Sequence, residues 1–533
     1  VRVVDRLAQS LREAGISTVF GLLGDGNLDQ VLAFAAHGGR FVPTLDESGA
    51  VSAADGWART TGQVGVASVT HGPGFTNTLT ALTEAVRARS HLLLLTGDTA
   101  PVAHHLQRFD LAAAARLAGA EYVRVGADTA GAQIAAAMEQ VRAASVPLVL
   151  DVPVDIAAAE VMAVADRSDP PAPAVVEPDE AALDTAIGIM ATARRPLVLA
   201  GRGAVLADAH DELVRLAGLL GAPLATSLLG REYFAGDPFD LGIAGTLSEP
   251  AVLDALLSCD CLIAFGASLN RFTTADFALA TGRPVIQVDR DPAAFGRYTA
   301  PTVAVTGDAR QVAAAMSRAL EGAELEPSHW RQQAREARIA AAPEDGPRAA
   351  AGTLDLRTAM RVLDEALPDD RLVATDTGRF IYTAWRELRV ADPRDFVHTL
   401  NFASIGLGIA TAVGVAAAHP DRMTVAVAGD GGGMMGLGEL TTAVRERLPL
   451  VVVIADDGSY GMERHHLRRA GLDPEHASTQ WPSFAEVARA YGAEGHTVTD
   501  ADQLRKVLEG LDPLPAGPVL IDVLVDPDAV VAQ

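Results

Sequence analysis

Short apolar runs alternate with longer stretches in which apolar positions recur every third or fourth residue. Near the start, Val4, Leu7, Ala8 and Leu11 fall at i, i+3, i+4 and i+7, which predicts an amphipathic helix packed on a sheet. The short runs predict buried strands at Val64–Thr70, His91–Gly97, Val146–Pro153, Arg195–Gly201, Asp260–Ala267, Arg283–Asp289, Thr302–Asp308, Arg371–Gly378, Met423–Asp430, Leu448–Asp457 and Gly517–Asp526. Most of these runs end in Gly or Asp, and a helical pattern follows. Strand, turn and helix in repetition is the signature of parallel βαβ units. The expected class is therefore α/β with doubly wound parallel sheets. Ligands of such sheets bind beyond the carboxyl ends of the strands, so the chemistry belongs to the residues that directly follow each apolar run.

Two segments interrupt the rhythm. Asp166–Pro178 carries Pro170, Pro171, Pro173 and Pro178, and Ala341–Gly352 is built of Ala, Pro, Gly and charge. Both read as linkers. They divide the chain into three expected domains, 1–165, 179–340 and 353–533. A chain of 533 residues is too long for one core, which agrees with that division.

Composition narrows the function classes. Hydrophobic residues make up 49% and charged residues 21%, a globular balance. The net charge of −25 repels a phosphate backbone, so nucleic acid is not an expected partner. No apolar run reaches the ~18 residues of a membrane span. Cys259 and Cys261, one residue apart, cannot form a disulfide framework and fit the edge of a buried strand. Low cysteine usage and the lack of a signal-like start at Val1–Asp5 lead to an expected cytoplasmic location.

The densest chemistry follows the run Thr424–Ala428. Gly429, Asp430, Gly431, Gly432 and Gly433 come next, and then a helical pattern. Glycines let the backbone approach a phosphate closely, and a helix start offers free N–H groups. A carboxylate such as Asp430 tolerates phosphate when a hard cation lies between them. The neighbouring run ends in Asp456, Asp457, Gly458, Ser459 and Tyr460, so Asp457 and the Ser459 carbonyl are candidate second and third metal ligands. Two other readings stay open on this segment alone. Gly431, Gly433 and Gly436 fit G-x-G-x-x-G with Asp456 20 residues on, the fingerprint of a nicotinamide-dinucleotide oxidoreductase. The segment also fits a purely structural turn.

Gly429-Asp430-Gly431, then 24 residues, then a polar pair at a strand end resembles the cofactor motif of the thiamine-diphosphate-dependent superfamily that includes acetolactate synthase, pyruvate decarboxylase and benzoylformate decarboxylase. That family ends the motif in Asn-Asn, where this chain has Asp456-Asp457. The resemblance implies pyrimidine-binding, central and diphosphate-binding domains, with thiamine diphosphate and Mg2+ (or Ca2+) as cofactors. Asp430, Asp457 and Ser459 would hold the metal, and Gly429, Gly431, Gly432, Gly378 and Ser459 would lie against the cofactor. Asn401–Gly406 is similar to the segment that keeps the cofactor bent, with Ile405 beneath it and the Ala403 carbonyl accepting from its amino group. Thr44–Gly56 is similar to the segment carrying the activating glutamate, which assigns that role to Glu47. Thr70–Asn77 resembles the family's glycine-proline-glycine turn.

The same resemblance implies the reaction class. Decarboxylation of a 2-oxo acid is followed by protonation to an aldehyde or by carboligation to a second carbonyl. Asp25, the pair His104-His105, and Glu463, six residues after Asp457, resemble the acid–base set of pyruvate decarboxylase. The region from Gly242 through Gly266–Arg271 to Val288–Pro292 resembles the part of some carboligases that holds FAD. Arg271 and Arg379 are candidates for a substrate carboxylate. Active sites between subunits of a homodimer or homotetramer are implied as well. A non-catalytic paralogue, with cofactor binding lost through Asp456-Asp457, is the remaining alternative.

Overall fold

The computed structural model describes residues 1–101, 104–143, 145–160, 178–323, 325–340 and 349–529. The two predicted linkers, Asp166–Pro178 and Ala341–Gly352, lie largely outside the described residues. The described residues contain three six-stranded sheets, and every strand pair in them is parallel. The expected α/β class, with three parallel sheets flanked by helices, is what the chain adopts.

The first sheet is built from β1 (Thr18–Gly21), β2 (Arg40–Pro43), β3 (Gly65–Val69), β4 (Leu92–Thr96), β5 (Glu121–Arg124) and β6 (Leu148–Asp151), in the order β2-β1-β3-β4-β6-β5. The second contains β7 (Pro196–Ala200), β8 (Leu224–Thr226), β9 (Asp240–Ile243), β10 (Cys261–Phe265), β11 (Val285–Asp289) and β12 (Val303–Thr306), ordered β12-β11-β10-β7-β8-β9. The third holds β13 (Leu372–Thr375), β14 (Phe396–His398), β15 (Thr424–Gly429), β16 (Leu450–Asp456), β17 (Glu494–Val498) and β18 (Val519–Leu524), ordered β14-β13-β15-β16-β18-β17. Numbered within each sheet, the first and third share the order 2-1-3-4-6-5. The second has the dinucleotide-fold order 3-2-1-4-5-6.

All eleven predicted strands form. The apolar pattern missed β1, β2, β5, β8, β9, β14 and β17. Five of these, β2, β5, β9, β14 and β17, are sheet edges. Edge strands need no continuous apolar run, and β5 and β17 are largely open to solvent on at least one face. The central strands show the opposite pattern. In β16, Leu450 through Ala455 are all buried, because helices cover both faces.

The described residues fall into two compact units. One draws on Val1–Pro171, Gly346–Leu388 and Asp395–Val531, and the other on Ala172–Asp345 and Arg389–Arg394. The first unit holds the first and third sheets. Its helices include α1 (Val3–Glu13), α2 (Glu47–Thr61), α3 (Leu79–Ala88), α4 (Gly408–Ala418), α5 (Asp430–Gly436) and α6 (Gly461–Arg469). The predicted first helix is α1, and its buried face contains Val4, Leu7, Ala8 and Leu11 as expected.

Helices α2 and α4 join the two sheets. Each follows the second strand of its own sheet, and the two cross in backbone contact. A Cβ on Gly414 would lie 1.8 Å from the Ala53 carbonyl oxygen, and one on Gly56 would lie 2.2 Å from that of Thr411. Around the crossing, Ala50, Val51, Ala54, Ala412, Val413 and Ala416 are fully buried. Small residues are therefore required at these positions. Gly414→Ala must push two backbones apart, so it should destabilise the fold by about 1–3 kcal/mol or more. Thermal or urea unfolding would show this. Gly188→Ala, at a helix position with open space around it, should be neutral or slightly stabilising.

Candidate active site

In a sheet of order 2-1-3, the connections leave the first and third strands in opposite directions, and a crevice opens beyond their carboxyl ends. For the third sheet that crevice lies beyond β13 and β15. Strand β13 is followed by Asp376, Thr377 and Gly378, and β15 runs directly into Asp430 at the start of α5. Asp376 is buried. Its Oδ2 accepts from the Gly406 N–H (2.7 Å) and its Oδ1 from the Thr399 hydroxyl (3.1 Å). Burial pushes its carboxyl up. Gly432 packs against it so closely that a Cβ would sit 2.3 Å from Asp376 Oδ2. The Thr377 hydroxyl is shielded from solvent and has no hydrogen-bond partner among the described residues. A shielded hydroxyl beside bare glycine backbone fits a phosphate oxygen.

Asp430 is 3% exposed. Its Oδ1 accepts from the Gly431 N–H (2.9 Å), and its Oδ2 accepts from the Ser459 N–H (2.8 Å) and from Trp481 Nε1 (2.9 Å). Ser459 also donates its hydroxyl to Asp457 Oδ1 (2.6 Å). The three residues expected to hold a metal are thus tied together directly. Burial, and after it the charge of Asp457, pushes the Asp430 carboxyl up to about 7. Burial likewise raises Asp456, and burial followed by the charge of Asp456 pushes Asp522 up to about 7. Carboxylates crowded at the ends of three adjacent strands favour a divalent cation, and the donors are all hard oxygens. Among the described residues no cluster of three or more His, Cys, Asp and Glu side chains could hold a metal by itself. Two carboxylates and a carbonyl therefore leave room for oxygens supplied by a ligand.

The extra charge of Asp457 has a local partner. Arg379, on the segment after β13, reaches Asp457 Oδ2 at 2.9 Å and the carbonyls of Asp526 and Pro527 at 3.3 Å. Arg379 is therefore committed to the protein, which corrects its reading as a substrate-carboxylate ligand. Arg271 lies at the surface, where it pairs with the equally exposed Asp276 at 2.8 Å.

The loop before α4 contains Asn401, Ala403 and Ile405. Ala403 adopts φ +62° and Gly406 φ +93°, so this loop bends through left-handed backbone twice. Glu84 of α3 holds it in place. One carboxylate oxygen accepts from the Asn401 N–H (3.2 Å) and Nδ2 (2.7 Å), and the other from the Phe402 N–H (2.5 Å).

The first sheet has the equivalent crevice beyond β1 and β3. Glu47, buried in the first turn of α2, accepts from Asn77 Nδ2 at 3.0 Å. Gly74 lies over its other oxygen, where a Cβ would come to 3.2 Å. Asp25 follows β1 and accepts from the Thr70 hydroxyl at 3.1 Å, and Thr70 follows β3. His71 is 2% exposed and lies 3.7 Å from Asp25 Oδ1 through Nε2. That nitrogen is also 3.1 Å from Gln107 Oε1, and the ring meets His105 edge-on at 5.8 Å. Asp25 and His105 are thus brought together around His71. His104 and Glu463 are exposed, and no described hydrogen bond joins either to Asp25.

Several of these residues escaped the sequence reading. Glu84 sits on the buried apolar stripe of α3 with Ala81, Ala85 and Ala88, and an acidic residue on such a stripe is the signal that marks it. Trp481 and Gln107 lie in loops and carry no such signal. The glycines of the dinucleotide fingerprint open a helix directly after β15. Gly431, Gly433 and Gly436 fall within α5, where Cβ atoms on Gly433 and Gly436 would meet the Ile454 side chain and the Gly406 carbonyl at 2.7 Å. In the second unit, Gly201 and Gly203 pack against Gly266 at the crevice beyond β7 and β10, with a Cβ on Gly266 2.4 Å from Gly203.

Residues 1–114 match the thiamine pyrophosphate enzyme N-terminal TPP binding domain, residues 183–316 its central domain, and residues 376–523 its C-terminal TPP binding domain. The chain is 30% identical to a probable 2-ketoarginine decarboxylase of Pseudomonas aeruginosa, over 94% of this chain and 90% of that protein. It is 29% identical to a sulfoacetaldehyde acetyltransferase of Alcaligenes xylosoxydans xylosoxydans, over 93% and 88%. It is 27% identical to a probable acetolactate synthase large subunit of Methanocaldococcus jannaschii, over 98% and 92%.

The pairing of Arg379 with Asp457 is open to a double-mutant cycle. Arg379→Met leaves Asp457 buried without its cation and should destabilise the apo-protein by roughly 2–4 kcal/mol. Asp457→Asn in the same chain should recover most of that loss, giving a coupling energy above about 1 kcal/mol in urea unfolding. Additive single effects would mean that the pair contributes nothing.

Proposed function

Because the chain belongs to the thiamine pyrophosphate enzyme family, we propose that it is a Mg2+-dependent enzyme that uses thiamine diphosphate to decarboxylate a 2-oxo acid. The remaining fragment is released as an aldehyde or joined to a second carbonyl. The observation that carries this reading is the placement of Glu47. It is a buried carboxylate at a helix start, held by Asn77 and overlain by the bare backbone of Gly74. When bound, thiamine diphosphate would supply an electron sink for the pair left by departing carbon dioxide.

The protein's own groups have separable tasks. Asp430, Asp457 and the Ser459 carbonyl hold the divalent cation, and Arg379 offsets the charge that Asp457 adds. That offset argues against a non-catalytic paralogue. Thr377, Gly378, Gly429, Gly431 and Gly432 give the diphosphate a close approach. Ile405 and the Ala403 carbonyl would lie against the cofactor, and Glu47 would hold a proton at its pyrimidine ring. Asp25 and His105, packed around His71, hold and move a proton beside the substrate, with His104 and Glu463 at the periphery of that set.

We assign the meeting of Glu47 and Asp430 at one cofactor to two copies of the chain in a homodimer or homotetramer. Leu45 and Met435, exposed at 56% and 63%, are apolar surface that such a partner would cover. FAD, if bound, belongs to the crevice beyond β7 and β10, and no step here requires it. The names of the relatives, a decarboxylase, an acetyltransferase and a synthase, support carbon–carbon chemistry beside a carbonyl as the class. No helix of the described residues is long and apolar enough to cross a membrane.

Glu47→Gln should lower kcat on a responsive 2-oxo acid by about 100-fold or more. Titration calorimetry should show the cofactor still bound. Full turnover by that variant would remove Glu47 from the mechanism. Stripping the protein with EDTA should abolish thiamine diphosphate binding, and added Mg2+ should restore it. Binding that is indifferent to EDTA would contradict the assignment of Asp430 and Asp457.

A further inference from the structure

The first and third sheets share one strand order, and a repeated feature in them is telling. In each, a loop leads from the second strand to the helix at the crossing. In the first sheet this is the stretch after Pro43, which ends in Glu47. In the third it is the stretch after His398, which carries Ala403 and Ile405. Each loop is held by a buried glutamate from the opposite sheet's domain, and that glutamate lies on the connection after the third strand. Glu84 lies after β3 and holds the loop of the third sheet. Glu439 lies after β15 and holds the loop of the first.

The contacts correspond closely. Glu439 Oε1 accepts from the Leu45 N–H (2.8 Å) and the Asp46 N–H (3.2 Å), while Oε2 accepts from the Thr442 hydroxyl (2.7 Å). Glu84 accepts three hydrogen bonds as well, all from Asn401 and Phe402. The carbonyls that end the two second strands are held in the same crossed manner. Arg59 donates to His398 O at 2.8 Å, and Arg445 donates to Pro43 O. Arg87, one turn from Glu84, stacks its guanidinium over the Phe402 ring at 4.5 Å. Gly438, beside Glu439, lies against the Leu45 side chain, whose tip would have to turn aside for a Cβ there.

We propose that Glu84 and Glu439 are a reciprocal pair of positioning residues, each fixing the cofactor-holding loop of the opposite domain. Glu439 sets Leu45 and Asp46, and thereby the adjoining Glu47. Glu84 sets Asn401 and Phe402, and thereby Ala403 and Ile405. The assignment of cofactor contacts to those loops rests on the function proposed above. The oxygens of both glutamates are taken up by these donors, so both act by fixing backbone. Burial raises both carboxyls, and three donors around each favour the charged form.

The donor sets differ in a way that makes the proposal sharp. Both Glu84 oxygens face N–H groups, so Glu84→Gln turns an amide NH2 toward a donor. Glu439 faces N–H groups with one oxygen and a hydroxyl with the other. In Glu439→Gln the amide oxygen keeps the two backbone N–H groups, and its NH2 donates to Thr442. Conservative replacement should therefore be damaging at Glu84 and tolerated at Glu439.

Hydrogen exchange read by mass spectrometry on the full-length protein without cofactor tests this directly. Glu84→Gln should speed exchange in residues 398–406 by roughly tenfold and leave 40–47 unchanged. Glu439→Ala should do the converse, and Glu439→Gln should match wild type. Asn401→Ala, which removes one donor and keeps Glu84 charged, should give a smaller rise confined to 398–406 and serves if Glu84→Gln does not fold. With Mg2+ present, Glu84→Gln and Glu439→Ala should also weaken thiamine diphosphate binding and lower kcat at saturating cofactor. A purely structural role would lower the melting temperature and spare both. Wild-type exchange in both loops of every variant, or equal damage from Glu439→Gln and Glu439→Ala, would overturn the proposal. If the exchange pattern appears but wild-type protein binds no thiamine diphosphate, the clamps stand and the proposed function falls.

Discussion

Everything in the first unit depends on two helices meeting at backbone distance. Helices α2 and α4 cross where Gly56 and Gly414 leave no room for a side chain. Each helix begins at the end of a loop that carries site residues. Glu47 opens α2, and Ile405 lies just ahead of α4. Close contact at the crossing therefore fixes the two helix starts, and with them the loops, to within the tolerance of packed backbone. A looser crossing through larger side chains would let both loops drift, and catalytic geometry is lost over about 1 Å.

Electrostatics at the third sheet follows from the same parallel architecture. Parallel strands all deliver their carboxyl ends to one edge, so Asp430 after β15 and Asp456 and Asp457 at the end of β16 crowd together with Asp522 of β18. Asp430 and Asp522 are driven up to about 7 by burial, with a neighbouring carboxylate as the next cause. A cation relieves that crowding. Arg379 supplies part of the compensation, and it does so at Asp457, where the chain departs from its family's asparagine. The substitution and its arginine partner read as one unit.

Much of this was legible in the amino-acid order. Long central strands such as β15 and β16 announce themselves, because burial on both faces demands an unbroken apolar run. The site's ends follow from those runs, which is why Asp430, Asp457 and Ser459 were identifiable as candidates, whereas Glu47 follows the illegible strand β2 and was found through the resemblance of Thr44–Gly56 to a family segment. Edge strands β2, β5 and β17 were not legible, because half their faces meet solvent. The clamps were hidden for a different reason. Glu84 and Glu439 work on residues more than three hundred positions away in sequence, and only the strand order places them there. His71 was read as part of a turn, and its role as the hub between Asp25 and His105 appears only once β1 and β3 are adjacent.

The central claim is that Glu47 activates a bound cofactor, and the exchange rate of the cofactor's C2 proton measures that step without any substrate. Protein loaded with thiamine diphosphate and Mg2+ is moved into D2O, quenched in acid, and the remaining C2 proton is read by NMR. The account predicts exchange at least about 100-fold faster than in free cofactor. Exchange no faster than in solution, with the cofactor demonstrably bound, would contradict it.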